Sequence, residues 1–284
     1  MYDRLLVPTD DSGPANAALE LAGRIASPEA TLHVLVVSED DRVGPRAVRD
    51  RTADEILADA RETAAPDVET VVTEERRGDP RERILEYAES AGVEIVVMGA
   101  HGRRDPEPVV LGRVTEGVVR DAPVPVLVAR ASDDIRGLYP FERVLVPTDG
   151  SDHARTALEL GVEIAAETGA TLHLLSVVDA TRYGIDAESD ALLDRLEENT
   201  TRALESTAEN AALDGVEVRP AVTVGSVHSA IAAYAETEDI ELLVMGTHGR
   251  SDSDRAYLGS VTERVLRAAP APVLTVRAPE SGGT

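Results

Sequence analysis

The chain repeats itself. Arg4-Leu5-Leu6-Val7-Pro8-Thr9-Asp10 returns as Arg143-Val144-Leu145-Val146-Pro147-Thr148-Asp149, and Thr31-Leu32-His33 returns as Thr171-Leu172-His173. The closing runs Pro125-Val126-Leu127-Val128 and Pro272-Val273-Leu274-Thr275-Val276 recur in the same order. Matches spread over both halves call for one fold built twice, and 284 residues suffice for two domains that each bury a core. The expected domains are 1–131 and 141–278. Residues 132–140, polar and broken by Gly137 and Pro140, read as a linker, and 279–284 as a tail.

In the second half the hydrophobic pattern predicts strand 143–149, helix 152–167, strand 171–178, helix 188–212, strand 217–224, helix 227–236, strand 241–246, a loop, helix 261–268 and strand 273–277. Strands alternating with helices imply an α/β fold, a parallel sheet covered on both faces, with five strands and four helices per half. Asp79-Pro80 places a capping carboxylate before a proline at the first helical position, and Ser226 takes the matching cap in the later half. Helix 188–212 is expected to show a solvated acidic face and an apolar stripe through Leu192, Leu193, Leu196 and Leu204.

An open parallel sheet binds ligands beyond the carboxyl ends of its strands, where the strand order reverses. Two segments fall at such ends: Pro147-Thr148-Asp149 after the first strand, and a glycine loop after the fourth. If those strands are neighbours, the two segments converge on one crevice. The loop is Gly246-Thr247-His248-Gly249, followed after nine residues by Gly259-Ser260. Glycines let a backbone approach an anion closely, and the unpaired N–H groups opening a helix face that anion with the positive end of the dipole. Ser260 is expected to add a cap hydroxyl.

The earlier copy reads Gly99-Ala100-His101-Gly102, nine residues, then Gly112-Arg113. Arginine cannot accept a hydrogen bond and is far bulkier than serine. Arg103, Arg104, Pro106 and Pro108 make this loop stiffer and more basic than its counterpart. The two loops are therefore expected to differ, the first being degenerate. Arg113 either occludes the phosphate position, joins a cluster for another anion, or pairs with Asp105 or Glu107. His101 and His248 suit a structural or phosphate-contact role better than catalysis, and His33 and His173 read as packed strand residues. His153 and His228 receive no role.

Composition excludes several chemistries. The absence of cysteine removes disulfides, thiolate catalysis and cysteine-ligated metals. A net charge of −25 argues against nucleic acid or an anionic membrane surface as the main partner. All 28 basic residues are arginine, and the 53 acidic residues are spread along the chain, a pattern that suits an extreme halophile, the alternative being a merely acidic cytosolic protein. Met1-Tyr2-Asp3-Arg4 leads directly into the strand Leu5-Leu6-Val7, and no apolar run approaches the roughly 20 residues that span a bilayer. A cytoplasmic protein is expected. A Walker loop would need a lysine, which the chain lacks, and no Ser-His-Asp order stands out. No two histidines fall at helical metal-ligand spacing, so a metal is expected only as Mg2+ arriving with a nucleotide.

Val146-Pro147-Thr148-Asp149, Val244-Met245-Gly246-Thr247-His248-Gly249 and Gly259-Ser260-Val261-Thr262 resemble the universal stress protein family, in a tandem form. The family pattern of glycine, two residues, glycine, nine residues, then glycine with serine or threonine is met at every position of the second half. The resemblance implies a doubly wound, Rossmann-like sheet of order 3-2-1-4-5 in each domain. It also implies an adenine nucleotide at the switch point, and an intrachain pseudo-dimer paired through the last strands, with further homo-association open. By the same resemblance, Asp149 would contact ribose or adenine, Val177 would line the base, and Met245 and Gly246 would border the nucleotide. Gly249, Gly259, Ser260 and Thr262 would meet the phosphates, with Pro147, Thr148, His248 and Val261 completing the site. The expected function is binding of ATP, with AMP and ADP as alternatives, in a stress response, mainly by the second domain and without fast turnover. A scaffold for a protein partner that binds no nucleotide, and a slow nucleotide hydrolase, are the competing readings.

Overall fold

The computed structural model describes residues 1–38, 51–64, 66–102, 111–130, 138–179, 190–212, 215–249 and 257–279. Arg103, Arg104, Asp105, Pro106, Glu107, Pro108 and most of the expected linker and tail lie outside these residues. The chain divides into two compact units, Met1–Tyr139 and Pro140–Thr284.

The first unit runs β1 (Tyr2–Pro8), α1 (Gly13–Ile25), β2 (Ala26–Ser38), α2 (Ala53–Ala64), β3 (Thr70–Arg77), α3 (Pro80–Ala91), β4 (Ile95–Gly99), α4 (Arg113–Asp121) and β5 (Val126–Ala129). Its strands lie in the order β3-β2-β1-β4-β5, all parallel. The second unit runs β6 (Arg143–Pro147), α5 (Asp152–Thr168), β7 (Thr171–Val178), α6 (Asp190–Ala212), β8 (Val218–Val224), α7 (Val227–Thr237), β9 (Leu242–Gly246), α8 (Ser260–Ala268) and β10 (Val273–Val276). Its order, β8-β7-β6-β9-β10, is the same winding, again all parallel. Each unit is thus a doubly wound α/β sheet of order 3-2-1-4-5.

The pattern follows from burial. The central strands are apolar on both faces: Leu5, Leu6 and Val7 in β1, and Val144, Leu145 and Val146 in β6, are fully buried, as a sheet sandwiched between helices requires. The outer strands β3 and β8 are half exposed and carry Glu74, Glu75 and Pro220, residues that an edge tolerates. Helix α6 buries Leu204, Ala208 and Ala211 along one stripe. Leu193 and Leu196 are half-buried on it, while the side chain of Leu192 lies outside the described residues.

Two caps behave differently from one another. Asp79 accepts a hydrogen bond from the Glu82 amide at 3.1 Å, and the proline behind it starts α3. Ser226 occupies the cap position of α7 but makes no cap hydrogen bond; its hydroxyl pairs with His228 Nδ1 at 3.2 Å. The local imidazole takes the group that the sequence pattern assigns to the helix.

His33 and His173 are packed strand residues. Each Nδ1 meets a tyrosine hydroxyl at 2.9 Å, Tyr87 on α3 and Tyr234 on α7 respectively, with the rings edge to face. Burial pushes both histidines below their ordinary value and both tyrosines above theirs. The first pair also lies under a guanidinium, with Arg76 4.7 Å above the Tyr87 ring. His173 Nε2 is buried without a partner.

Candidate functional site

The carboxyl ends of β6 and β9 are neighbours, with Val144 opposite Leu242 and Leu145 opposite Leu243. The segments that follow them meet. A Cβ placed on Gly249 would stand 2.9 Å from Asp149 Oδ2, so the loop backbone passes directly against that carboxylate. In the first unit a Cβ on Gly102 would stand 2.5 Å from Asp10 Oδ2. The convergence expected from strand order therefore occurs in both copies.

Strand β6 ends at Pro147, two residues before its expected limit, because the next two side chains turn the chain. The half-buried Pro147 pairs with Leu175, and the Thr148 amide still donates to the Leu175 carbonyl at 2.8 Å. Thr148 Oγ1 then accepts from the Gly150 amide at 3.1 Å, and Asp149 Oδ1 from the Ser151 amide at 3.0 Å. Gly150 has φ 72°, the left-handed backbone this turn needs. Asp149 is exposed, so it both forms the turn and presents a carboxylate edge beside Gly249. Val177 lies half-buried at the end of β7, opposite Thr223.

On the other side, Met245 is buried in β9 opposite Thr275. Gly246 is a close-approach glycine: a Cβ there would sit 2.6 Å from His153 Cβ and 2.8 Å from the His153 carbonyl carbon, in the first turn of α5. Packing alone accounts for this glycine. Thr262 is buried, and its hydroxyl donates to the Gly246 carbonyl at 2.8 Å, as Thr115 does to Gly99 in the first unit. Its side chain is committed to tying α8 to the end of β9, which leaves only its amide for a ligand.

The start of α8 differs from the sequence expectation. The cap residue is Gly259, with φ −55° and ψ 133°, and Ser260 is the first helical residue. A cap must hold a non-helical backbone, and Ser260 has already entered the helix, so it supplies no cap hydroxyl. The Gly259 amide is occupied by the Thr247 carbonyl at 2.9 Å, a bond that closes the loop. No side chain caps the helix, and an α-helix leaves its first amides without an internal acceptor. The donors of this turn are therefore the amides of Ser260, the half-buried Val261 and Thr262.

Arg113 is likewise the first helical residue of α4 and is exposed; Gly112 is its uncapped predecessor. Arginine here does not replace a capping group, because the counterpart serine is not one.

His248 is buried and fixed at both nitrogens, Nδ1 to Thr247 Oγ1 at 3.0 Å and Nε2 to the Tyr257 carbonyl at 2.7 Å. The His153 ring lies 5.2 Å away, and its Nδ1 accepts from the Ala278 amide at 3.0 Å. His153, to which the sequence assigned nothing, packs behind the loop; the matching position 14 is proline, so the repeat gave no signal for it. Among the described residues no group of three or more His, Cys, Asp or Glu could hold a metal ion, and no helix is long and apolar enough to cross a membrane.

A doubly wound parallel sheet with a glycine loop and an uncapped helix start at its switch point defines a class of Rossmann-like α/β domains. The sequence profile of the Universal stress protein family matches residues 1–130 and again 140–277, and the chain belongs to that family as a tandem member. A universal stress protein of Methanocaldococcus jannaschii is 34% identical over 143 residues, 49% of this chain and 84% of that protein. A second from the same organism is 28% identical over 154 residues, 48% of this chain and 95% of its own. Among solved structures, a universal stress protein from Archaeoglobus fulgidus covers 98% of this chain and 97% of its own at 26% identity, with a TM-score of 0.76.

Proposed function

We propose that the second unit binds an adenine nucleotide, ATP in first place, at the carboxyl ends of β6 and β9, and does so as a stress-response binding protein without fast turnover. The observation that carries this reading is the approach of Gly249 to Asp149 beside the uncapped first turn of α8. A phosphate tail laid against that turn would take the amides of Ser260, Val261 and Thr262 and the positive end of the helix dipole. Asp149 would meet the ribose hydroxyls, Val177 would line the base, and Gly249 would leave room for the phosphates. Mg2+ would come with the phosphates, held chiefly by their oxygens and by water. In a chain of net charge −25 the anion would be held by main-chain amides aimed at close range, and molar salt would screen the wider repulsion. Arginine as sole cation suits such a salt-rich cytoplasm.

Calorimetric titration of the whole chain with ATP and Mg2+ in high salt, with phosphate release followed on the same sample, tests this. Saturable binding without continuing release supports it. Sustained release would favour a hydrolase. The absence of both binding heat and a melting shift would favour a partner-binding scaffold, because a ligand at 100 times its Kd stabilises by about 2.7 kcal/mol.

A further inference from the structure

The described ends of the two glycine loops are held by matching hydrogen bonds. In the second unit the Thr247 amide donates to Val276 at 3.0 Å, the Gly259 amide to Thr247 at 2.9 Å, and the Thr262 hydroxyl to Gly246 at 2.8 Å. In the first, Ala100 donates to Ala129 at 2.7 Å, Gly112 to Ala100 at 2.8 Å, and the Thr115 hydroxyl to Gly99 at 2.8 Å. Within this frame one hydroxyl differs. Position 247 is threonine and position 100 is alanine.

The consequence appears on the next residue. A carbonyl oxygen only accepts, so the contact from His248 Nε2 to Tyr257 requires the proton on Nε2. In the neutral ring Nδ1 is then an acceptor, and Thr247 Oγ1 donates to it. His101 has no such hydroxyl beside it, and its Nδ1 is buried without a hydrogen-bond partner. A buried ring nitrogen left unpaired is destabilising, so the first loop carries a penalty that the second does not.

We infer that Thr247 is a positioning residue for the nucleotide loop. Its hydroxyl orients the His248 ring in the tautomer that the Tyr257 carbonyl requires, and the ring thereby ties that carbonyl, and with it the lead into Gly259 and Ser260, to the end of β9. Among the described residues, Ala100 rather than Arg113 is the substitution that leaves the histidine of the first loop without the hydrogen bond its counterpart has. This rests on the nucleotide reading only for its effect on affinity; the strut itself is tested without any ligand.

The experiment uses the whole chain with 15N-labelled histidine. Long-range 15N–1H correlation spectra are recorded for wild type, Thr247→Ala, Thr247→Ser, Ala100→Thr and Arg113→Ser, and ATP affinity is measured on the same samples. Thr247→Ala reproduces an arrangement the fold already accommodates at Ala100. It is expected to move His248 Nδ1 from a hydrogen-bonded to an unbonded resonance, as in His101, to expose the Nε2 proton to faster exchange, and to weaken ATP binding by roughly tenfold. Thr247→Ser should restore both. Ala100→Thr should shift His101 toward the His248 signature, whereas Arg113→Ser should leave it unmoved. A His248 spectrum unchanged in Thr247→Ala overturns the inference, as does an unchanged ATP affinity in that variant when wild type binds. Absence of ATP binding in wild type would instead overturn the nucleotide reading, with the spectra alone then deciding the strut.

Discussion

Single side chains decide three measurable properties. Gly246 faces the backbone of α5 closely enough that a Cβ would overlap both His153 Cβ and its carbonyl carbon. Gly246→Ala should therefore cost about 1–3 kcal/mol by overpacking, read as a lower midpoint in urea. Gly249 instead faces the end of the Asp149 side chain, which can swing aside. Gly249→Val should fold nearly as well as wild type yet lower ATP affinity by tenfold or more, since its side chains would fill the space for phosphate; calorimetry separates the two effects. The third property is acid sensitivity. Burial holds His173 below its ordinary value of 6.5, with Glu238 and Glu217 opposing and Arg219 and Arg143 assisting. Burial acts the same way on His33, with Glu74 opposing and Arg4 assisting. The folded chain thus binds fewer protons than the unfolded one between the lowered value and 6.5, and stability rises with pH across that window. The contribution of neutral His173 is complete above pH 6.5 and is lost as pH falls toward the folded value. His173→Gln should flatten the dependence of Tm on pH below 6.5 without altering it above.

Helix termini show how far local pattern carries at the scale of the element. Asp79 and Ser226 hold matching positions, but only the carboxylate reaches its helix. Asp79→Ala should cost about 1 kcal/mol, as a lost cap does, and Ser226→Ala much less; chemical denaturation of the two variants checks the contrast. The expectation that both act as caps came from residue type and spacing. His228, two residues on, diverts the Ser226 hydroxyl, and side-chain competition of that kind is not visible in a cap motif. Similarly, Ser260 and Arg113 follow a glycine that has already taken the cap backbone. The difference between them therefore lies on an exposed first turn.

Charge acts at the scale of the whole chain. With 53 acidic residues against 28 arginines, the folded state confines like charges more tightly than the unfolded state does. Raising salt from 0.1 M to 1 M shortens the screening length from about 10 Å to about 3 Å. Tm should consequently rise steadily over that range in KCl, and a salt-independent Tm would remove electrostatic repulsion as a significant factor. Tandem membership in the universal stress protein family places two copies of the unit on one chain, with the intact pattern of glycines and serine in the second alone.

The amino-acid sequence by itself determined the twofold repetition, the order of strands and helices and the position of the glycine loop. Each of these depends on periodic burial and on short-range turn chemistry. In the second unit nine elements were legible to within about two residues, because apolar runs such as Leu242–Met245 are bounded by turn-forming residues. What only the tertiary structure decided was where individual polar atoms are spent. Thr262 turns its hydroxyl to Gly246 and the Gly259 amide goes to Thr247, while His153 packs on a loop almost a hundred residues away. A motif names residue types at intervals along the chain, whereas a hydrogen bond depends on distance and direction between atoms that the fold alone brings together. For that reason the difference between Thr247 and Ala100, plain in the sequence, acquired meaning only when His101 Nδ1 was found buried without a partner.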